Sequence, residues 1–127
     1  LARVAKKTFY IKKKNSKLKI NCFDVVHGSI NASGYRFKDI AYISDCNSIP
    51  VKSIKYLKNL NLLIIDCLRF KKHPSHFNLS ESLLLIDKIK PKKSILTNLH
   101  VDFDYKKLKE ILPKNIIPAY DGLKINF

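Results

Sequence analysis

The first third of the chain carries apolar residues in short, partly alternating runs that are typical of β-strands. These runs predict four strands, at residues 8–11, 18–26, 35–37 and 40–44. Residues 12–17, which are mostly lysine, predict an exposed hairpin turn, and residues 38–39 a tight turn between two strands. Residues 27–34 are polar and glycine-containing, and we expect a loop there.

In the rest of the chain, segments whose apolar residues recur at helical intervals alternate with continuous apolar runs as long as a strand. Three helices are predicted, at residues 50–59, 78–90 and 104–112. Asn78 with Glu81 three positions later is a capping-box pattern, Asp102 and Asp104 are candidate N-caps, and Pro91 and Pro113 are expected to end helices. Four strands are predicted among them, at residues 60–67, 94–97, 116–120 and 123–127, the last two around a turn at residues 121–122.

The order of these elements, strands first and then β-α-β-α-β, predicts an α/β fold with a layered sheet. A length of 127 residues without an internal repeat or linker indicates a single domain over residues 1–127, or part of one. A hydrophobic content of 46% and a charged content of 28% exclude a disordered chain.

The basic composition is weak evidence for a nucleic-acid partner. The formal net charge is +15, but only three of the 25 basic residues are arginine, the side chain that best fits phosphates and guanine edges. Abundant Lys, Ile and Asn are also typical of AT-rich coding sequences. The charge still favours phosphorylated substrates through its long-range field.

The apolar runs and the cysteines of the sequence indicate the compartment of the protein. No apolar run approaches the roughly 18 residues of a membrane span, and the lysine-rich start has no apolar signal core, so we expect a cytoplasmic protein. The three cysteines include no CxxC pair, which argues against a zinc ribbon or a thioredoxin motif and favours reduced, buried thiols.

Polar residues of metal-ligand type follow four successive predicted strands. They are His27, Asp45, Asp66 with the nearby His73 and His76, and Asn98 with His100. Ligands in layered α/β folds collect beyond the carboxyl ends of the strands, so these residues predict one site for metal-assisted hydrolysis. Each has a structural alternative: a turn histidine for His27, a helix cap for Asp45, a loop-holding carboxylate for Asp66, and a rigid turn for residues 73–76.

The number of ligands limits this interpretation. Zinc binds His nitrogen and carboxylate oxygen, and two ions can hold a hydroxide and clamp a phosphoryl oxygen. His27, Asp45 and His100 are three candidate ligands, and two ions need about twice as many. The chain alone is therefore not expected to complete the site.

The motifs VVHGSINASGYRF, IAYISDCNSIP, LLIIDCLRFKKHPSHF, KKSILTNLHVDFDY and PAYDGLKI, in this order, resemble the C-terminal half of metallo-β-lactamase-fold hydrolases. The resemblance runs from about Cys22 to the C-terminus. It is strongest to the branch that contains the phosphoribosyl cyclic phosphate phosphodiesterase, and RNase Z is more distant. It implies part of an αββα sandwich and two zinc or manganese ions in the full-length enzyme.

The resemblance also implies roles for individual residues. His27 matches a metal ligand, Asp45 the metal-bridging aspartate, and His76 a histidine that contacts substrate phosphate and acts in acid catalysis. The family's last ligand is a histidine at the position of Asn98, and we expect His100 to replace it. Asn98 and Asp66 are further candidates for binding metal or for supporting its ligands.

The HxHxDH motif of the family is absent, and the chain starts with Leu rather than Met. We therefore expect the C-terminal part of a phosphodiesterase that acts on a small cyclic phosphate ester, inactive alone, with one sheet face left apolar and exposed. The alternatives are an RNase Z-like nuclease and a non-catalytic RNA-binding module. The expected partner is the phosphate ester rather than nucleic acid or a membrane, and a second copy of the chain is a further candidate.

Overall fold

The seven strands of the protein pair in chain order into a single sheet. The computed structural model describes residues 7–126, and all structural statements refer to them. The strands are β1 (Thr8–Lys13), β2 (Ser16–His27), β3 (Ile30–Phe37), β4 (Ile40–Ile43), β5 (Leu62–Asp66), β6 (Lys93–Thr97) and β7 (Ile116–Pro118). The helices are a 3₁₀ helix (Val51–Leu57), α1 (Leu79–Ile89) and α2 (Tyr105–Ile111).

The direction of the strands brings the ends of β2, β4, β5, β6 and β7 together. β1 to β4 pair antiparallel, and β4 to β7 pair parallel. Because β2 and β4 both run opposite to β3, β2 points the same way as the parallel strands. The carboxyl ends of β2 and β4–β7 therefore lie at one edge of the sheet, which we call the carboxyl edge.

Two sequence predictions of secondary structure were wrong. The expected loop at residues 27–34 is mostly strand, because Ile30 to Gly34 pair with β2 and extend β3 toward its start. The expected strand at residues 123–127 is absent over residues 123–126, where Leu123 and Ile125 instead pack against an apolar cluster on the sheet; residue 127 lies outside the described residues. The helix predicted after Pro50 is present as a 3₁₀ helix.

The helix ends follow the local chemistry of the sequence. The Asn78 side chain accepts a hydrogen bond from the Glu81 amide, and the Glu81 carboxylate accepts one from the Asn78 amide, which confirms the predicted capping box. α1 ends at Lys90, which adopts a left-handed conformation before Pro91. Asp104, rather than Asp102, caps α2.

The two faces of the sheet differ in how well they are covered. The buried residues of α1, α2 and the 3₁₀ helix pack on one face, where Val25, Ile43 and Leu96 are fully buried. The other face carries a smaller buried cluster of Ile40, Leu62 and Ile95, with Tyr42 38% exposed on the same side. The expectation of an apolar face left exposed was wrong for this cluster, because Leu123 and Ile125 pack against it and its three residues are buried. None of the helices in residues 7–126 is long and apolar enough to cross a lipid bilayer.

Candidate functional site

His27 is the last residue of β2 and lies at the carboxyl edge. Its Nδ1 atom is 2.8 Å from the backbone carbonyl oxygen of Ser75. A carbonyl can only accept a hydrogen bond, so this contact assigns the proton to Nδ1 and leaves the lone pair on Nε2. The chain then turns at Gly28, which has a positive φ of 63° and donates its amide to Asn47 Oδ1. His27 is thus held in the tautomer and orientation that a metal-ligating histidine needs.

His76 is oriented by a buried carboxylate. Its Nδ1 atom lies 2.6 Å from Oδ2 of Asp66, whose side chain is fully buried. Oδ2 also accepts from the Cys46 amide at 3.0 Å, and Oδ1 accepts from Asn98 Nδ2 at 3.2 Å. Burial raises the pKa of Asp66, and the bonds from Cys46, His76 and Asn98 oppose that rise.

His27 meets two histidines of the distant HPSH segment to form a histidine cluster of His27, His73 and His76. The His27 and His76 rings meet edge to face with centroids 4.6 Å apart, and the centroids of His73 and His76 are 5.1 Å apart. His73 Nδ1 accepts a hydrogen bond from the Ser75 amide, as expected for the rigid turn predicted at residues 73–76. The side chain of His76 is 16% exposed, so part of its ring reaches solvent.

Asp45 follows β4 at the same edge and is exposed. Ser44 Oγ donates to its carboxylate at 2.6 Å, and the Ser44 carbonyl lies 3.4 Å from Asn98 Nδ2. Asp45 does not cap the next helix, which begins after Pro50 without a side-chain cap. The Asp45 carboxylate therefore does not act as the helix cap that its position in the sequence suggested.

Asn98 joins the cluster, whereas His100 is held by its own loop. Asn98 has a positive φ of 62°, and its Nδ2 lies near Asp66 and 3.3 Å from His76 Nδ1. The exposed His100 accepts a weak hydrogen bond at Nδ1 from the Asp102 amide, 3.3 Å away. The expected role of His100 as a replacement ligand stays a prediction, and none of its side-chain contacts in the described residues reaches the histidine cluster.

The described residues supply only part of a metal site. In residues 7–126, no three His, Cys, Asp or Glu side chains are close enough together to hold an ion. His27 Nε2 and the Asp45 carboxylate are donors of the type that zinc and manganese take, but they do not make up a two-metal donor set. A complete centre would need further ligands.

Two contacts that organise this site carried no sequence signal. The Ser75 carbonyl that fixes His27 is a backbone group 48 residues away, and Asn98 reaches Asp66 across 32 residues. Asp66 itself stands directly after an apolar strand, which is a detectable signal. Its predicted loop-holding role is confirmed by the bond from the Cys46 amide.

Comparison with known proteins was consistent with this architecture. The beta-lactamase superfamily domain matches residues 4–98. An octanoyltransferase from Porphyromonas gingivalis is 35% identical over 103 residues, which is 79% of this chain and 21% of that protein.

Solved structures resemble the chain over nearly its whole length. A diphosphatase from the PhnP family is 36% identical with a TM-score of 0.85, over 93% of this chain and 46% of that chain. Human tRNase Z, short form, is 15% identical with a TM-score of 0.70, over 94% of this chain and 47% of that one. The metallo-β-lactamase fold protein YhfI from Bacillus subtilis is 17% identical with a TM-score of 0.69, over 91% of this chain and 51% of that one.

The chain spans about half the length of these solved proteins and about a fifth of the octanoyltransferase. The family match covers most of the chain, and the sheet and helices superpose on half of each solved structure. The chain therefore belongs to the beta-lactamase superfamily and has part of the metallo-β-lactamase fold.

Proposed function

We propose that this chain forms the C-terminal half of a metal-dependent phosphodiesterase that acts on a small cyclic phosphate ester. In this proposal His27 and Asp45 bind metal, and His76 acts on the substrate. His100 stays a predicted further ligand, and the other ligands are not among residues 1–127. We therefore expect the chain alone to turn over no substrate and to bind metal weakly. Zinc or manganese, when bound, would supply an activated water and stabilise charge on the phosphoryl oxygens.

The observation that carries the proposal is the pairing of two differently fixed histidines at the carboxyl edge. His27 donates a hydrogen bond from Nδ1 to the Ser75 carbonyl, so Nε2 is the ring nitrogen available to a metal. The Nδ1 atom of His76 instead contacts the Asp66 carboxylate, which holds the ring in one orientation. With ring centroids 4.6 Å apart, a ligand group and an acid are available to one small substrate.

His76 has the surroundings of a general acid. Asp66 accepts a hydrogen bond from Nδ1 of His76 and so holds the ring. In this orientation, Nε2 can donate a proton to the leaving oxygen of a phosphate ester. The Cys46 amide and the Asn98 amide group keep the Asp66 carboxylate in place. The imidazole then regains a proton from solvent, to which it is partly exposed.

A phosphate ester fits the charge and the relatives of the chain. A net charge of +15 attracts anions to the protein. A solved protein that is 36% identical is named a diphosphatase from the PhnP family, which supports a phosphorylated substrate. Octanoyl transfer is not proposed, because the matched segment is only 21% of the octanoyltransferase.

The experiment is a chimaera of the diphosphatase in which the segment aligned with this chain is replaced by residues 1–127. We expect the chimaera to hydrolyse a five-membered cyclic phosphate diester with zinc or manganese, and the 127-residue chain alone to give no turnover. Turnover by the chain alone would disprove the half-site proposal. A folded, metal-loaded chimaera without phosphodiesterase activity would disprove the proposed reaction.

A further inference from the structure

β1 and the first part of β2 extend beyond the rest of the sheet as a two-stranded ribbon. β3 pairs with β2 only from Asn21 onward, so residues 16–20 pair with β1 alone. We call the segment of residues 8–20 the ribbon. Its tip turns at Lys14, which has a positive φ of 46°.

One face of the ribbon collects positive charge around an aromatic ring. Residues paired across two antiparallel strands project to the same face, and Tyr10 pairs with Lys19 and Lys12 with Lys17. Lys17 Nζ lies 3.9 Å from the centroid of the Tyr10 ring, which is 49% exposed. These four residues form the basic face: Tyr10, Lys12, Lys17 and Lys19.

Within residues 7–126, no salt bridge joins a lysine of the basic face to an acidic side chain. The first acidic residue of the sequence is Asp24, and it pairs with Lys52 rather than with the ribbon. Lys12 and Lys17 lie directly opposite each other, an arrangement that destabilises a strand pair unless an anion lies between the charges. The overall lysine content is weak evidence for a nucleic-acid partner. The strand register, which places Lys12, Lys17 and Lys19 around Tyr10 on one face, is independent of that content.

We propose that the basic face binds single-stranded RNA. Lysines that flank an exposed aromatic ring provide the two contacts that single strands use, phosphate neutralisation and base stacking. Residues two apart on a strand are about 7 Å apart, so Lys17 and Lys19 can follow an extended backbone.

An anionic membrane fits the ribbon less well. The apolar residues Phe9 and Ile11 lie on the opposite face, because they alternate with Tyr10 and Lys12 along β1. A bilayer contacted by the lysines would leave these apolar side chains in water. RNA needs only the charged, aromatic face.

This surface is distinct from the carboxyl edge. Lys17 and His27 are ten positions apart along β2, which is about 33 Å of extended strand. RNA binding on the basic face therefore neither requires nor tests the proposed phosphodiesterase site.

The test measures binding of a fluorescein-labelled 20-nucleotide oligouridylate to the 127-residue chain by anisotropy over a range of salt concentrations. The triple variant Lys12→Gln, Lys17→Gln, Lys19→Gln is expected to bind at least tenfold more weakly and to lower the salt slope by about 2. Tyr10→Ala is expected to weaken binding at least fivefold, and Tyr10→Phe to keep it. Replacing the same three lysines by Arg is expected to preserve binding, which guards against loss of folding.

The matched control is the triple variant Lys106→Gln, Lys107→Gln, Lys114→Gln, which removes the same charge from exposed positions elsewhere. An equal loss in both triple variants would mean that net charge alone binds RNA and would overturn the proposal. Binding to vesicles of equal parts phosphatidylglycerol and phosphatidylcholine without binding to RNA would overturn it as well. A loss confined to the ribbon variants supports it.

Discussion

His76 Nδ1 lies 2.6 Å from the fully buried carboxylate of Asp66, and this pair ties the loop after β5 back to the strand end. The same carboxylate receives the Cys46 amide from the segment after β4 and the Asn98 amide from the segment after β6. Three neighbouring loops of the carboxyl edge therefore converge on one side chain. Asp66 therefore organises this edge through hydrogen bonds to all three loops.

Removing that carboxylate is expected to destabilise the fold. In Asp66→Ala the buried Cys46 amide loses its acceptor, and an unsatisfied buried donor costs about 1–3 kcal/mol. Urea unfolding should show a loss of that size in the free energy of unfolding of Asp66→Ala. The control Asp87→Ala, which changes an exposed helix residue, should show a smaller loss. Equal stability of the two variants would contradict the role assigned to Asp66.

Gly34 allows the Phe23 ring to lie against β3. A Cβ at Gly34 would overlap the ring of Phe23, which is stacked on Tyr56 with centroids 5.1 Å apart. Gly34→Ala is expected to lower the free energy of unfolding by about 1–3 kcal/mol, because the ring must move within a packed core.

The smaller side chain in Phe23→Leu should relieve that overlap. The effect of Gly34→Ala measured in the Phe23→Leu background should therefore be smaller than in the natural chain. The same loss in both backgrounds would show that the clash with Phe23 is not the cause.

Cys67 is expected to be inert to alkylation in the folded chain. It is fully buried, and burial raises its pKa to about 12. Iodoacetamide at pH 8.5 should modify it only after unfolding, as followed by mass spectrometry of the labelled peptide. Labelling of the native chain at the rate of the unfolded chain would contradict this burial.

The same thiol predicts a pH dependence of stability. The folded pKa of Cys67 lies above the value of about 8.5 for an unfolded cysteine, so its contribution is complete below about pH 8.5 and is lost as the pH rises toward 12. Between pH 8 and 10.5, the free energy of unfolding should fall less in Cys67→Ala than in the natural chain. Parallel curves would refute the link.

Local patterns predicted most of the fold because they reflect local causes. The capping box at Asn78 and the apolar run of β5 were both recognisable in the sequence. The start of β3 was missed because Ile30 to Gly34 lack apolar alternation and are strand by virtue of pairing with β2. Residues 123–126 looked like a strand, but their apolar side chains pack on the sheet face instead.

The candidate site was predictable in its residue types but not in its contacts. Strand ends placed His27, Asp45 and Asp66 at one edge, as the layered fold requires. Which histidines meet depends on the path of the loop at residues 73–76, which brings the Ser75 carbonyl to His27. The periodicity of the sequence does not encode that path. The sequence therefore could not show that His76 contacts His27 whereas His100 contacts only its own loop.

The most direct test of the central claim compares metal content and turnover in two variants of the diphosphatase chimaera. His27→Ala should lower the bound zinc or manganese per protein, measured by mass spectrometry of the metal, because it removes a ligand. His76→Ala should retain the metal and lose about 10²- to 10⁴-fold in kcat, because it removes only the acid. Full metal content and full turnover in both variants would contradict the account.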